Sequence, residues 1–231
     1  MENITPSYKD LKTITEFDSS TLNEPFVELP EEDDFVEGRY EQDSLNMGDL
    51  FKRVLVRKQV YAKLLEAAKV LKETNPNYRL HVVYGYRSLE KQQEYFYDIY
   101  NKMKDVIKDE DELLEYVHKR IAVPDVAGHP TGGAADLEIY DSAQDKMLDF
   151  GSTILDYDDI KCNYYNDDLS EEAKANRKLL RDVMLSQNFA PFNGEWWHYC
   201  YGDKEWAFYY KKDKALYSQM PTNEVLDNIE R

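Results

Sequence analysis

The stretch AVPDVAGHPTGGAADLEIYD, residues 122–141, constrains the fold more than any other part of the chain. Gly128, Pro130, Gly132 and Gly133 break the helical pattern, because proline removes a backbone donor and glycine costs chain entropy. The second half then alternates. Leu137 and Ile139 fall on one face, Asp136 and Glu138 on the other, as expected of a half-buried strand. A loop that carries His129 therefore runs straight into a strand that gathers two carboxylates on one side.

The flanking segments are helical and extended in turn. Val60, Leu64, Ala67, Ala68 and Leu71 recur at helical spacing over VRKQVYAKLLEAAKVLKE, and Asn75-Pro76-Asn77 stops that helix. YRLHVVYGYR is β-branched and aromatic and reads as a strand running into Gly85. Ser88 caps a second helix reaching Tyr100, and a third short helix covers Asp111 to Arg120. Ser170 caps a fourth, with Ala173, Leu180, Val183 and Met184 on its apolar stripe. Asn193-Gly194 then turns into a last strand, EWWHYCY. Helices and strands follow no strict βαβ order, so the expected class is α+β: a central, mainly antiparallel sheet with helices packed around it. Residues 1–50 are polar and acidic, with Glu31, Glu32, Asp33 and Asp34 in a row. They read as an N-terminal arm with short elements, packed on a main domain of residues 51–231.

Composition narrows the partners. With 29 basic and 46 acidic residues among 231, the net charge is −17, a field that repels nucleic acid and anionic lipid surfaces. Hydrophobic residues make up 42%, enough for a sizeable core. No run approaches the roughly 20 apolar residues of a membrane span, and the N-terminus lacks an apolar leader. Only Cys162 and Cys200 occur, in no disulfide framework, which fits a reducing compartment. The expectation is a soluble, cytoplasmic protein.

Four histidines are available: His81, His118, His129 and His198. His129 precedes Asp136 by seven residues, with two glycines between them that allow a tight fold. His198 closes EWWH, three residues after Glu195. Two imidazoles and one carboxylate form the ligand set of an open catalytic zinc site, and a nearby carboxylate such as Glu195 can take a proton from the activated water. In a regular strand, residues three apart point to opposite faces. Glu195 and His198 share one site only if a bend intervenes or Glu195 precedes the strand, which Gly194 makes easy. The plainer readings stand beside these. A histidine near an aspartate is usually a hydrogen-bonded pair, Trp196 and Trp197 are the usual core tryptophans, and Gly132-Gly133 suits an ordinary turn. His81 reads as structural, His118 as solvent-exposed on a polar helix, Cys162 as a surface thiol and Cys200 as a small packing residue.

Taken together, these segments resemble the D-alanyl-D-alanine dipeptidases, a branch of the zinc D,D-peptidases that share a fold with hedgehog signalling domains. The family pattern S-x-H-x-x-G-x-A-x-D is matched from Ala127 to Asp136, E-x-W-H by Glu195-Trp196-Trp197-His198, and G-Y-R after a strand by Gly85-Tyr86-Arg87. VRKQVYAKLL, LDFGS, NRKLL and GDKEWA fit as flanks, so the likeness runs from Val56 to Tyr210.

The resemblance implies one zinc per chain on His129, Asp136 and His198, with Glu195 as general base and Arg87 steadying the oxyanion. It also implies a small D-amino-acid peptide as substrate. In the family, an aspartate after an M-G-S segment receives the substrate's free amino group. Asp156 is the counterpart here, although FGSTILD is one residue longer than the family segment. Ala127 stands where the family has a serine, which puts strict D-Ala-D-Ala preference in question while leaving ligands and base intact. Two alternatives follow: a D,D-carboxypeptidase or L-Ala-D-Glu endopeptidase of the same fold, and a non-catalytic zinc-binding module. Glu195 and Arg87 speak against the module, since a structural zinc needs neither.

Overall fold

The computed structural model describes residues 5–21, 24–40, 51–154 and 160–230. In chain order the elements are α1 (Tyr8–Leu11), β1 (Phe26–Glu28), β2 (Val36–Gly38), β3 (Leu55–Arg57), α2 (Lys58–Thr74), β4 (Tyr78–Tyr84), α3 (Leu89–Met103) and α4 (Glu110–His118). After a one-turn 3-10 segment at His129–Thr131 come β5 (Ala134–Asp141), β6 (Lys146–Met147), α5 (Glu171–Ser186), β7 (Ala190–Pro191), β8 (His198–Cys200), α6 (Lys204–Tyr209) and α7 (Thr222–Asp227).

The main sheet runs β2-β4-β5-β8-β7, with β6 paired to β5; only β2–β4 is parallel. The α+β, mainly antiparallel architecture follows the pattern of the sequence. Leu80 stands opposite Ile139 and Val82 opposite Leu137. These four enter one core cluster with Leu64, Ala68 and Leu71 of α2 and Leu180, Val183 and Met184 of α5. Truncating one of those leucines to alanine costs about 2–5 kcal/mol. The opposite face of β5 carries Asp136 and Glu138. It is buried as well, so the strand is not the half-exposed one that alternation suggests. Alternation reports chemistry on each face, and here the polar face is covered.

The first forty residues enter the architecture directly. β1 pairs with β3, and β2 forms the parallel edge beside β4. Arg57 explains part of this attachment. Its guanidinium lies 4.4 Å from the Phe26 ring and 5.1 Å from Tyr217, and its Nε donates to the Thr131 carbonyl at 2.9 Å. One buried cation therefore ties the N-terminal segment, the C-terminal segment and the His129 loop together.

The last strand is shorter than EWWHYCY suggests. Residues 195–197 form a turn, closed by His198 N–H donating to the Glu195 carbonyl at 3.2 Å, and pairing starts only at His198. Trp196 and Trp197 are core residues, as their type suggests. Both cysteines are free: Cys200 is buried, Cys162 half-buried.

Candidate active site

The loop before β5 and the end of β4 hold each other. His129 Nδ1 lies 2.7 Å from the Gly85 carbonyl oxygen, and the Arg87 N–H donates back to the His129 carbonyl at 3.3 Å. Gly132 closes the loop at φ +73°, and a Cβ there would sit 2.2 Å from the Phe26 ring. A non-glycine residue is thus excluded by conformation and by space. The exchange of hydrogen bonds brings Arg87 of the G-Y-R segment beside His129.

Asp136 stands on β5 directly opposite Tyr84 of β4 and His198 of β8. Its Oδ1 lies 2.9 Å from His198 Nδ1, and its Oδ2 lies 3.3 Å from His129 Nε2. A carbonyl only accepts, so His129 Nδ1 carries the hydrogen it gives to Gly85. Burial lowers the pKa of His129 and so favours the neutral ring, against the pull of Asp136. Its Nε2 therefore presents a lone pair to Asp136 Oδ2, a fully buried oxygen that has no hydrogen-bond partner. Two acceptors facing each other without a proton repel, and a cation between them removes the conflict. Donor atoms of His129, Asp136 and His198 all lie within 4.8 Å of one another. The residues present fit a zinc ligand set of two imidazoles and one carboxylate.

The electrostatics divide the groups. Burial works against the charge on Asp136, but His129 and His198 outweigh it and hold the carboxyl well below its usual range. Burial also opposes a charged His198, yet Asp136 outweighs it and pushes the imidazole up to about 10. Glu195 is pushed up to about 7 by burial, with His198 and Arg87 pulling the other way.

Glu195, Arg87, His129 and His198 line one cleft, with the segment from His118 to Ala122 along a wall. The cleft is open to solvent, with about 570 Å³ of space when its mouth is included. The 195–197 turn is what brings Glu195 to the side of His198, which a regular strand would prevent. Arg87 is buried and held: its Nη1 donates to Gln92 Oε1 at 3.0 Å and its Nε to the Tyr84 hydroxyl at 3.4 Å. Gln92 is fixed in turn by donating to the Ala122 carbonyl at 2.7 Å. Asp156 lies outside the described residues. Ala127 also lines the cleft.

Two features depart from the sequence reading. His118 is not on an exposed face. It is half-buried on the cleft wall, its Nδ1 accepting from the Val123 N–H at 3.3 Å. A second cleft carboxylate, Glu205, went unread. Its Oε2 lies 3.8 Å from His198 Nε2. The signal was present in GDKEWA, where Asp203 caps α6 and so turns Glu205 inward on the first helical turn.

A family profile described as D-ala-D-ala dipeptidase matches residues 44–219. The chain belongs to this family. Among curated relatives, the D-alanyl-D-alanine dipeptidase of Synechocystis sp. (strain ATCC 27184 / PCC 6803 / Kazusa) is 28% identical over 187 residues, covering 68% of this chain and 73% of that one. The D-alanyl-D-alanine dipeptidase of Enterococcus faecium is 30% identical over 78 residues, covering 34% and 38%. Among solved structures, a variant of the vancomycin-resistance D,D-pentapeptidase VanY in complex with Zn(II) aligns with a TM-score of 0.39 and 16% identity, covering 86% of this chain and 93% of that one. Among the described residues, no helix is long and apolar enough to cross a membrane.

Proposed function

We propose that this member of the D-ala-D-ala dipeptidase family hydrolyses a D,D-dipeptide such as D-Ala-D-Ala, with one zinc per chain held by His129, Asp136 and His198. The observation that carries the reading is the pair of facing acceptors, His129 Nε2 and Asp136 Oδ2, 3.3 Å apart in a cleft that also holds Glu195 and Arg87.

Zinc held there supplies Lewis acidity, polarising the scissile carbonyl and bringing the pKa of a water to about 7. Glu195 takes the proton of the attacking water and passes it to the leaving amine, so the C–N bond breaks without expelling a bare amide anion. A carboxyl held near neutrality, as burial holds this one, accepts and releases that proton readily. Arg87 meets the negative charge that develops on the scissile carbonyl oxygen. The clamp of Gln92 and Tyr84 fixes its fork before the charge appears, so little reorganisation is needed at that moment.

Asp156 is the proposed partner of the substrate's ammonium group. The catalytic unit is assigned to residues 51–231, with residues 1–50 as an arm packed on it. That assignment is supported by the pairing of β1 with β3 and of β2 with β4. A cytoplasmic setting is part of the proposal and is supported by two free thiols.

A panel of free and N-acetylated D,D-, L,D- and L,L-dipeptides, run on zinc-loaded protein with and without chelator, tests the reading. Cleavage of free D-Ala-D-Ala with rejection of its N-acetyl form is expected, because an acylated substrate has no ammonium group to offer Asp156. Comparable rates on both forms would replace the dipeptidase reading with the carboxypeptidase one. A zinc-loaded protein inert on the whole panel would favour the non-catalytic module.

A further inference from the structure

Among the described residues, Glu195 and Glu205 are the carboxylates lining the cleft, and the proposed chemistry uses only Glu195. Glu205 is the second residue of α6, and its position is fixed from two directions. Asp203 caps the helix by accepting from the Trp206 N–H at 2.8 Å, and the Trp206 indole N–H donates to the Asn188 carbonyl at 3.0 Å. The Asp203 carboxylate also packs against the backbone of Gly128, where a Cβ would sit 2.2 Å from Oδ2. The start of α6 is therefore in register with the loop that carries His129.

The two nitrogens of His198 face different carboxylates. Nδ1 points to Asp136 Oδ1 at 2.9 Å, and Nε2 points to Glu205 Oε2 at 3.8 Å, the one carboxylate within 4 Å of that nitrogen among the described residues. The side chain of Glu205 is only 14% exposed, so water screens it little. The imidazole thus has a carboxylate at hydrogen-bond distance from Nδ1 and a second one 3.8 Å from Nε2, so a charged acceptor flanks each end of the ring. The nitrogen facing the lone outer carboxylate carries the hydrogen, and the other is left to ligate.

We infer that Glu205 is a positioning residue for His198, holding its Nε2–H so that Nδ1 is the nitrogen offered to the metal beside Asp136. The inference rests on the ligand set proposed above. It separates the two cleft carboxylates by role, with Glu195 toward the substrate and Glu205 behind the imidazole. A competing arrangement exists, because donor atoms of His198, Cys200 and Glu205 also lie within 4.8 Å of one another. If those three held an ion of their own, Glu205 would be a ligand. The carboxylate would then have to share His198 between two ions.

Zinc affinity is the primary readout, with dipeptide kinetics beside it. Metal-free wild type, Glu205→Ala, Glu205→Gln and His198→Ala are titrated with zinc against a chromophoric chelator, and each metal-free form is melted alone. Wild type is expected to take one ion. Glu205→Ala should weaken zinc about 10- to 100-fold, the usual scale for loss of a carboxylate behind a ligating histidine. Its metal-free melting temperature should stay unchanged. Glu205→Gln should recover part of the affinity, since the amide oxygen keeps a negative dipole facing Nε2–H. Wild-type affinity in Glu205→Ala would overturn the inference while leaving the ligand set intact. So would a second ion in wild type that Glu205→Ala loses, which makes Glu205 a ligand. Unchanged zinc binding with a raised KM for free but not N-acetylated dipeptides would overturn it in favour of ammonium recognition. Zinc binding by His198→Ala at wild-type strength would instead remove the ligand set, and this inference with it.

Discussion

The face of β5 that carries Asp136 also carries Glu138, and opposite Glu138 stands His81 on β4 with Glu37 beyond it on β2. The sheet thus bears two buried histidine–carboxylate clusters on one side. At the far end, His81 Nδ1 lies 2.8 Å from Glu37 Oε1, and Arg79 Nη2 lies 3.2 Å from Glu37 Oε2. Each oxygen of that carboxylate meets a donor, and the cluster contains its own cation. At the near end, Asp136 has one oxygen toward His198 and the other toward a lone pair of His129. A histidine beside a carboxylate is therefore not in itself a metal site. The number of donors left for the carboxylate separates the two ends, and an arginine fills the count at one of them.

Breaking the two clusters should give opposite signatures. His129→Ala or His198→Ala should lose the zinc and with it essentially all turnover, while chelation of wild type does the same reversibly. His81→Ala should keep the zinc and turnover but cost about 1–3 kcal/mol of stability, by removing a donor from buried Glu37. Metal analysis and denaturant melts on the three variants check this. Full occupancy in both site variants would mean that the near cluster, too, is only a hydrogen-bonded pair.

The next effects lie inside the near cluster. Glu195→Gln should retain zinc and lose at least ~10²-fold in kcat. Near-normal turnover would pass the base to another carboxylate, with Glu205, the other one lining the cleft, first to examine. Arg87→Lys should lower kcat by about 10-fold or more with little change in KM, because a planar fork held by Gln92 and Tyr84 meets transition-state charge better than a mobile ammonium. A change confined to KM would make Arg87 a binding residue only.

Much of this site was legible in the chain. HPTGGAAD announced a loop that had to be tight and a strand with its carboxylates together, and β5 has that alternation. Of the two ways Glu195 could reach His198, a bend in the strand or a place before it, the structure shows the second, which Gly194 makes easy. What periodicity missed is long-range. Val36–Gly38 is too short and too mixed to read as a strand, and it pairs because Leu80–Val82 offers an edge. Glu205 follows a strand end and a helix cap within five residues of Cys200, so no single period spans it and His198. His118 sits on a helix whose sequence is polar, yet α1 from the N-terminal segment packs over it, with the Tyr8 ring 6.1 Å away. Burial supplied by a distant segment leaves no local trace.

That burial yields the smallest predicted effect, and it places a third kind of histidine beside the other two. His118 is met by a backbone N–H at Nδ1 rather than by a carboxylate or a cation. Burial lowers its pKa below the ordinary 6.5, with Glu115 and Asp125 opposing weakly. The folded state therefore binds this proton less readily than the unfolded chain does. The stability it contributes is fully present above about pH 6.5 and is lost as pH falls from there toward the lowered folded value. His118→Gln cannot take up a proton, and its amide oxygen can still accept from Val123. The variant should match wild type at pH 8 and lose less stability on acidification to pH 5, by no more than a few degrees of melting temperature, about the shift of a single kcal/mol in a chain of this size. Melting both proteins across that range, with chelator present to silence the metal site, isolates the term. Parallel curves from pH 8 to pH 5 would show that His118 titrates as an exposed histidine does. The cleft wall would then be open to water at that point.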